Sequence, residues 1–414
     1  MSELKDKETI MVKESRADID AVEKMFYSDL YNYAEDLTDG EKEVLQEVEK
    51  VLKEDIYPVL DEHWDKATFP LEEMQKIIDI DLIQNPKLLE GREDGTISQL
   101  FRGFRAYTLA KTDPVIGTFY TSNGGLFHEC VKIGGSKEQQ EKLMPGVLSW
   151  EGKGVLAMTE PEHGSDIAGG MAATAKREGD TWILNGHKKW IGGGTLAKWH
   201  AFFARDVDDG QVKMFFVERE SEGVETFNTE PKAFFRMMPN AEIIYTDVKV
   251  PESQRAQNVN SWKDAANILR NTRSDVAWLL AGATAGAFEA ALKYTREREA
   301  FGKTVASFQL IQEKLSRMAM NAQATLAIAV RLAQQQERGI YKEENSSMAK
   351  MHNGYRAREN AALAREVCGG NGILLEYDVP RFMADIEGMY TYEGTHEVNS
   401  LIIGRYYTGQ QAFI

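Results

Sequence analysis

Hydrophobic residues in this chain recur at helical spacing, switch to strand-like alternation near Gly152, and return to helical spacing after Ser261. Two changes of period in one chain confine it to a helix–β–helix order, a mainly α fold with a central β-domain. In the first part Thr38 precedes DGEKEVLQEVEKVL, where Val44, Leu45, Val48, Val51 and Leu52 share one helical face. Asp39 and Glu41 stand in the first turn, where carboxylates favour the helix dipole. Further helical stretches run to about Leu148, broken at Pro70, Pro86, Pro114 and Pro145. In the middle, WILNGHKKWI predicts a type I′ hairpin at Asn185-Gly186, and a second hairpin is predicted around Asp209-Gly210. EIIYTDVKVP, ending at Pro251, reads as another strand. In the last part Phe308, Ile311, Leu315, Met318, Ala322, Leu326, Ala329 and Leu332 step by three and four until Gly339 ends the run. LLAGATAGAFEAAL is rich in Ala and Gly, which lets helix backbones approach closely. The expected divisions are an irregular arm or extra helix over 1–38, a helical domain over 39–151, a β-domain over 152–260 and a helical bundle over 261–414.

A chain of 414 residues suits two or three packed domains. Its 65 acidic and 49 basic residues leave a formal charge of −16, which disfavours nucleic acid and anionic lipid as general partners. The only cysteines, Cys130 and Cys368, give neither a disulfide framework nor a CxxC metal pair, and no HExxH is present, so no metal site is expected. The start lacks the pattern of a signal peptide and no run of 18 apolar residues occurs; a cytoplasmic protein with no membrane span is expected. There is no GxSxG elbow and no P-loop, and Gly192-Gly193-Gly194 leads into a strand-like run rather than a helix, which speaks against a dinucleotide-binding βαβ unit.

Three segments are locally unusual, and each has a bland alternative. LAMTEPEHGSD (156–166) holds Pro161, Gly164 and Ser165 in a tight turn whose amides and hydroxyls suit an anion, or which is a plain surface turn. REREAFGKTVASFQLIQ (296–312) sets Arg296 and Arg298 before a helix break at Phe301-Gly302, an arginine fork suited to phosphate, or a solvated charge run. In YTYEGTHEVNSLIIGRYYTG (390–409), Thr395 is placed to cap a final helix from about His396, with Val398, Leu401 and Ile402 on its buried face. Glu393, between Tyr392 and Gly394, is either a desolvated carboxylate with the raised pKa of a base, or a Glu serving the helix dipole.

Together, and in this order, these segments resemble the acyl-CoA dehydrogenase family. LAMTEPEHGSD is similar to its T-E-P-x-x-G-S-D signature, GDTWILNGHKKWIGGG to its G-D-x-x-x-x-N-G-x-K-x-W-I-T-N stretch, and RMMPNAEIIYTDVKVP to its strand ending V-x-V-P. REREAFG, SFQLIQ, VCGGNGILLEY and YEGTHEVNSLIIGR match further blocks, and YEGTH with the late LIIGR and TGQQAF resembles the glutaryl-CoA dehydrogenase-like branch. The resemblance implies a helical N-terminal domain, a β-barrel-like domain and a C-terminal four-helix bundle, assembled as a homotetramer or homodimer with FAD across a subunit interface. It implies that Glu393 removes the proton next to a thioester carbonyl while FAD accepts a hydride from the next carbon. Leu156, Met158, Thr159, Gly164 and Ser165 would line the flavin and its pyrophosphate, with Trp190 and Ile191 near the ring. Arg298, Phe301 and Gln309 would reach the FAD of a neighbouring subunit, Gly369 and Gly370 its adenosine end, and Thr395 and Glu397 would touch FAD. Ser165, Arg273 and Gly394 would contact the acyl-CoA.

Two departures narrow that expectation. Gly192 stands where the family usually has a Thr whose hydroxyl meets the flavin, as in some plant acyl-CoA oxidases; oxygen is thus an alternative acceptor to an electron-transfer flavoprotein. Ala110 and Gly117 stand where glutaryl-CoA dehydrogenases hold a distal carboxylate with Glu and Arg. Neither can offset a buried carboxylate, so the expected substrate is a short- or medium-chain acyl-CoA and not glutaryl-CoA.

Overall fold

The computed structural model describes residues 25–411. The arm expected over 1–38 therefore lies, up to residue 24, outside the described residues, as do Ala412 and Phe413 of TGQQAF. Residues 25–37 form turns that lay Met25 and Phe26 on the helical core. Helix α1 (Asp39–Val51) starts at Thr38 with a reciprocal capping box to Glu41 and buries Val44, Leu45 and Val48. Pro86 and Pro114 open helices at their first positions and Pro70 caps another, where a missing N–H costs nothing. Pro145 departs from the expected break. It lies in the last turn of the helix Lys137–Leu148, too near its end to disrupt it.

Helix α2 (Gln99–Thr112) leads through Asp113 into α3 (Pro114–Tyr120), whose first amides, at Val115 and Ile116, donate to the Asp113 carboxylate. The chain then widens into a π-helical stretch over Thr121–Leu126, a wider turn than a regular helix allows.

Among the described residues seven strands make the middle sheet: β1 Gly154–Ala157, β2 Thr174–Glu178, β3 Thr181–Gly192, β4 Trp199–Asp206, β5 Val212–Glu218, β6 Val224–Asn228 and β7 Asn240–Pro251. Their order is β1-β4-β2-β3-β7-β6 with β5 on β4, and the sheet curls. The hairpin around Asp209-Gly210 is present between β4 and β5. The one predicted at Asn185-Gly186 is not. β3 runs straight through these residues with a bulge against β7, while the hairpin lies one turn earlier, where Glu178 faces Thr181. Packing explains the difference. A Cβ on Gly186 would stand 2.6 Å from Ala173 Cβ, and Asn185 bonds Asp247 across the bulge, so these two residues serve a crowded sheet face.

The last part begins with α4 (Trp262–Glu297), followed by α5 (Gln309–Glu337), α6 (Glu343–Val367), α7 (Val379–Thr391) and α8 (His396–Thr408). Helices α4 to α7 pack as a bundle, with α2 laid against α4. The Ala/Gly stretch makes that contact possible: a Cβ on Gly282 would stand 2.2 Å from the Tyr107 carbonyl oxygen, and one on Gly286 2.2 Å from that of Lys111. By length and composition α4 could cross a membrane, but its apolar window is mostly buried inside the bundle. On α5 the expected face from Leu315 to Leu332 is buried, with Phe308 and Ile311 at its edge.

Candidate active site

A cavity of about 850 Å³ opens where the three parts meet. Its walls come from the π-helical stretch (Thr121, Ser122, Leu126), the β-domain, the segment 231–240, α4 and the α7–α8 junction. Of the residues singled out in the sequence, Leu156, Thr159, Gly164, Ser165, Trp190, Ile191, Glu393, Gly394 and Thr395 all line it. They come from separate parts of the chain, so their meeting is a tertiary event.

On the β-domain side, the turn after β1 is held from beneath. Glu160 accepts hydrogen bonds from the amides of Ala172 and Ala173 and pairs with Lys188 at 2.8 Å, both side chains buried. Lys188 also donates to the Met158 carbonyl, and Lys189 N–H to that of Thr159. Burial pushes the Lys188 ammonium down to about 8 against the upward pull of Glu160. The turn itself stays open: a Cβ on Gly164 would meet nothing within 4 Å, so a ligand can approach its backbone. Met158 does not line the cavity. Its side chain packs into the β-domain core. Gly192 lines the cavity, and a Cβ there would lie 2.5 Å from Met238 Cε, the movable end of a flexible side chain.

On the opposite side stands the loop between α7 and α8 that carries Glu393, the base loop of the expected mechanism. Thr395 caps α8, its hydroxyl accepting from Val398 N–H, as the sequence predicts. The buried face of α8 is His396, Asn399 and Ile402, however, and Leu401 is exposed. Polar residues are buried there because they hold the loop: Asn399 donates to the carbonyls of Gly394 and Thr395, and His396 bonds the Met351 carbonyl while stacking on Tyr390. Tyr392 is tied to α3 by a 2.9 Å hydrogen bond to Thr118. Glu393 and Gly394 both adopt left-handed backbone, at φ 55° and 89°. For a glutamate that conformation is strained and persists only where surroundings enforce it.

Burial pushes the Glu393 carboxyl up from the ordinary carboxylate range; Arg273 and Lys350 pull it down, Asp275 pushes it up, and the Thr272 hydroxyl donates to it. Arg273 acts only through its charge, since its guanidinium pairs with Glu343 at 2.7 Å and does not line the cavity. Asp275 is itself held by a two-pronged contact from Arg102. Glu397 is exposed in the first turn of α8, outside the cavity. Arg298, Phe301, Gln309, Gly369 and Gly370 also lie outside it. Arg298 ends α4, roughly 28 Å beyond Leu279 at ~1.5 Å per residue, and Phe301 is 97% exposed on a short hairpin between α4 and α5. Ala110 and Gly117 are buried against each other behind Leu279, with no opening to the cavity. Residues the sequence reading missed are Lys188, Lys350, Asn399, Met238 and the π-helical wall. Two of them carry a local signal: Lys188 stands at the K of the N-G-x-K-x-W-I stretch, and the TSNGG run breaks a helical pattern.

The family descriptions acyl-CoA dehydrogenase N-terminal, middle and C-terminal domain match residues 38–151, 155–248 and 262–408. The caffeyl-CoA reductase–Etf complex subunit CarC of Acetobacterium woodii is 33% identical over 71% of this chain and 78% of its own length. The chain belongs to the acyl-CoA dehydrogenase family. A glutaryl-CoA dehydrogenase crystal structure from Mycobacterium smegmatis superposes with a TM-score of 0.85 at 30% identity, covering 92% of this chain and 97% of that one. A second one, in complex with FADH2, gives 0.86 at 27% identity over 93% and 98%.

As an acyl-CoA dehydrogenase family member the protein is a flavoprotein oxidoreductase that uses FAD. The donor set fits that cofactor. The open turn at Gly164 and Ser165, the hydroxyls of Thr159, Thr121 and Ser122, and the half-exposed Trp190 indole offer polar groups and a flat surface around one cavity.

Proposed function

We propose that the protein dehydrogenates an acyl-CoA thioester between its α and β carbons, giving a trans-2-enoyl-CoA, with Glu393 as the base. The observation that carries this is a desolvated carboxylate on a strained, firmly held loop, facing the cavity lined by the flavin-type segments. An α-proton next to a thioester is only weakly acidic, so a useful base has a pKa raised toward neutrality, the direction in which burial moves Glu393. The Glu393 carboxylate takes that proton, and the loop backbone at Glu393 and Gly394 is placed to hold the thioester oxygen as negative charge develops. The chemistry that bound FAD would supply is that of a hydride acceptor for the β-carbon. Hydroxyls of Thr159 and Ser165, with the turn amides, would hold the cofactor's phosphate side, and Trp190 and Ile191 would lie against the ring.

The substrate reading remains a short- or medium-chain, uncharged acyl group. Lys232 is the only cation lining the cavity among the described residues, and its ammonium already donates to the Met238 carbonyl and to Asn240. The kinship with a caffeyl-CoA reductase subunit supports operation in the reverse direction as well, Glu393 then returning the proton. Electron-transfer flavoprotein is the proposed acceptor, in keeping with the name of that relative. Gly192 itself brings no hydroxyl to the wall, which supports oxygen as a second acceptor; the hydroxyl near that point is that of Ser122, 3.6 Å from where a Cβ on Gly192 would stand. Arg298, Phe301, Gln309, Gly369 and Gly370 are assigned to FAD held by a neighbouring copy in a homotetramer or homodimer. Their distance from this chain's own cavity and the exposure of Phe301 support that.

The test is anaerobic mixing of the FAD-loaded protein with a panel of acyl-CoAs, followed by flavin bleaching and repeated with oxygen and with a dye acceptor. Butyryl- to octanoyl-type thioesters should bleach it. Efficient turnover of glutaryl-CoA with release of carbon dioxide overturns the substrate reading, and no bleaching by any thioester overturns the function.

A further inference from the structure

Lys350 lies in the middle of α6 with its side chain wholly buried. Burying an ammonium is expensive, and an apolar residue would pack there at lower cost. Its contacts explain its presence. It donates to the Tyr390 carbonyl at 2.6 Å and to the Gly394 carbonyl at 2.8 Å, one on each side of Glu393. Between those carbonyls lie the two left-handed residues of the loop. A single side chain from a neighbouring helix thus clamps both ends of the strained turn that carries the base.

We propose that Lys350 is a positioning residue for Glu393: its ammonium clamps the loop on both sides of the base and supplies the fixed positive charge that favours the carboxylate form. This rests on the reading of Glu393 as the base. The groups facing Glu393 are Arg273, Asp275 and Thr272 from α4, Lys350 from α6, the neighbouring Tyr392 phenol and the buried Cys130 thiol. Those facing Lys350 are Glu393, Glu397 and Arg273, with His396 beside it. Arg273 already has a carboxylate partner in Glu343, and Asp275 has Arg102. Lys350 instead contacts neutral carbonyls, so its charge is left to act on the loop. Burial pushes Lys350 down to about 8, so below that pH it carries its charge.

The sign of the effect follows. Glu393 works as a carboxylate, so activity falls as pH drops through its pKa. Removing the nearby positive charge favours the protonated acid and moves that fall to higher pH. Lys350→Met is expected to lose about tenfold in kcat/KM on the acid limb and about twofold or less on the plateau. Lys350→Gln, which keeps a donor without the charge, is expected to shift in the same way and carries the test if Lys350→Met does not fold. Lys350→Arg is expected to return toward the wild-type profile. Equal loss at every pH in both uncharged variants, or profiles that superpose on the wild type, overturn the proposal. Infrared titration supplies a readout free of turnover. The carboxyl band that disappears in Glu393→Gln is expected to titrate at higher pH in Lys350→Gln, and an unmoved band overturns the proposal. If no acyl-CoA is turned over yet that band moves, the proposed function fails while the role of Lys350 stands.

Discussion

The cavity is framed by two irregular segments, the turn after β1 and the base loop, and each is held by a fully buried lysine. Lys188 meets a carboxylate directly, Glu160 at 2.8 Å, and the pair is closed within the β-domain. Lys350 meets two peptide carbonyls on either side of Glu393. In the first region the charge is neutralised where it stands and serves structure. In the second it is set, without a direct ion pair, beside Glu393, the carboxylate proposed to gain and lose a proton in turnover. The same residue type at similar cost therefore does different things, and the partner decides which.

If that contrast holds, loop variants lose rate and turn variants lose fold. The largest effect is expected from Glu393→Gln: a loss of about 10³-fold or more in kcat/KM with FAD retained and no fall in melting temperature. Flavin absorbance and single-turnover bleaching check it; a variant that bleaches as fast as the wild type removes Glu393 from its role. Next comes Lys188→Met, which strands the buried Glu160 carboxylate and should cost about 3 kcal/mol, read by urea unfolding. The double variant Lys188→Met with Glu160→Gln should recover part of that; full additivity of the two losses would argue against a closed pair. Gly192→Thr should cost only about 1 kcal/mol, read by urea unfolding, because the group it meets is the movable terminal methyl of Met238. Of similar size is Thr395→Ala, at about 1 kcal/mol for a lost helix cap, with a modest fall in rate as the loop loosens.

The pH dependence of stability separates the regions too. Burial lowers both lysines to about 8, below the ordinary value near 10.4, so between those pH values the unfolded chain binds more protons. Unfolding free energy contributed by each lysine therefore rises with pH across that window, and Lys188→Met or Lys350→Met should flatten the rise. Glu393 has the opposite sign. Its folded-state pKa is raised, so its contribution declines as pH climbs above the ordinary carboxylate range, and Glu393→Gln should abolish that decline. Urea titrations of variant and wild type across pH 4 to 10 compare the slopes.

Much of this was legible from the chain alone wherever the signal is local. The capping box at Thr38, the α5 face, the close approach allowed by Gly282 and Gly286, and the Thr395 cap each depend on residues within a turn or two. Ordered blocks likewise placed nine residues on one cavity wall or another. What failed were local rules overruled by packing: Asn185-Gly186 reads as a turn but fits a sheet face against Ala173, and Leu401 reads as core but faces out because His396 and Asn399 are needed beneath the loop.

By itself, then, the sequence determined the helix–β–helix order, the family and the identity of Glu393 as the candidate base, since periodicity and motif blocks are written within short stretches. Only the tertiary structure decided how that carboxylate is desolvated, which lysine stands beside it, and that Gly192 faces Met238. Those are contacts between α4, α6, the base loop and the 231–240 segment, and no spacing along the chain encodes them.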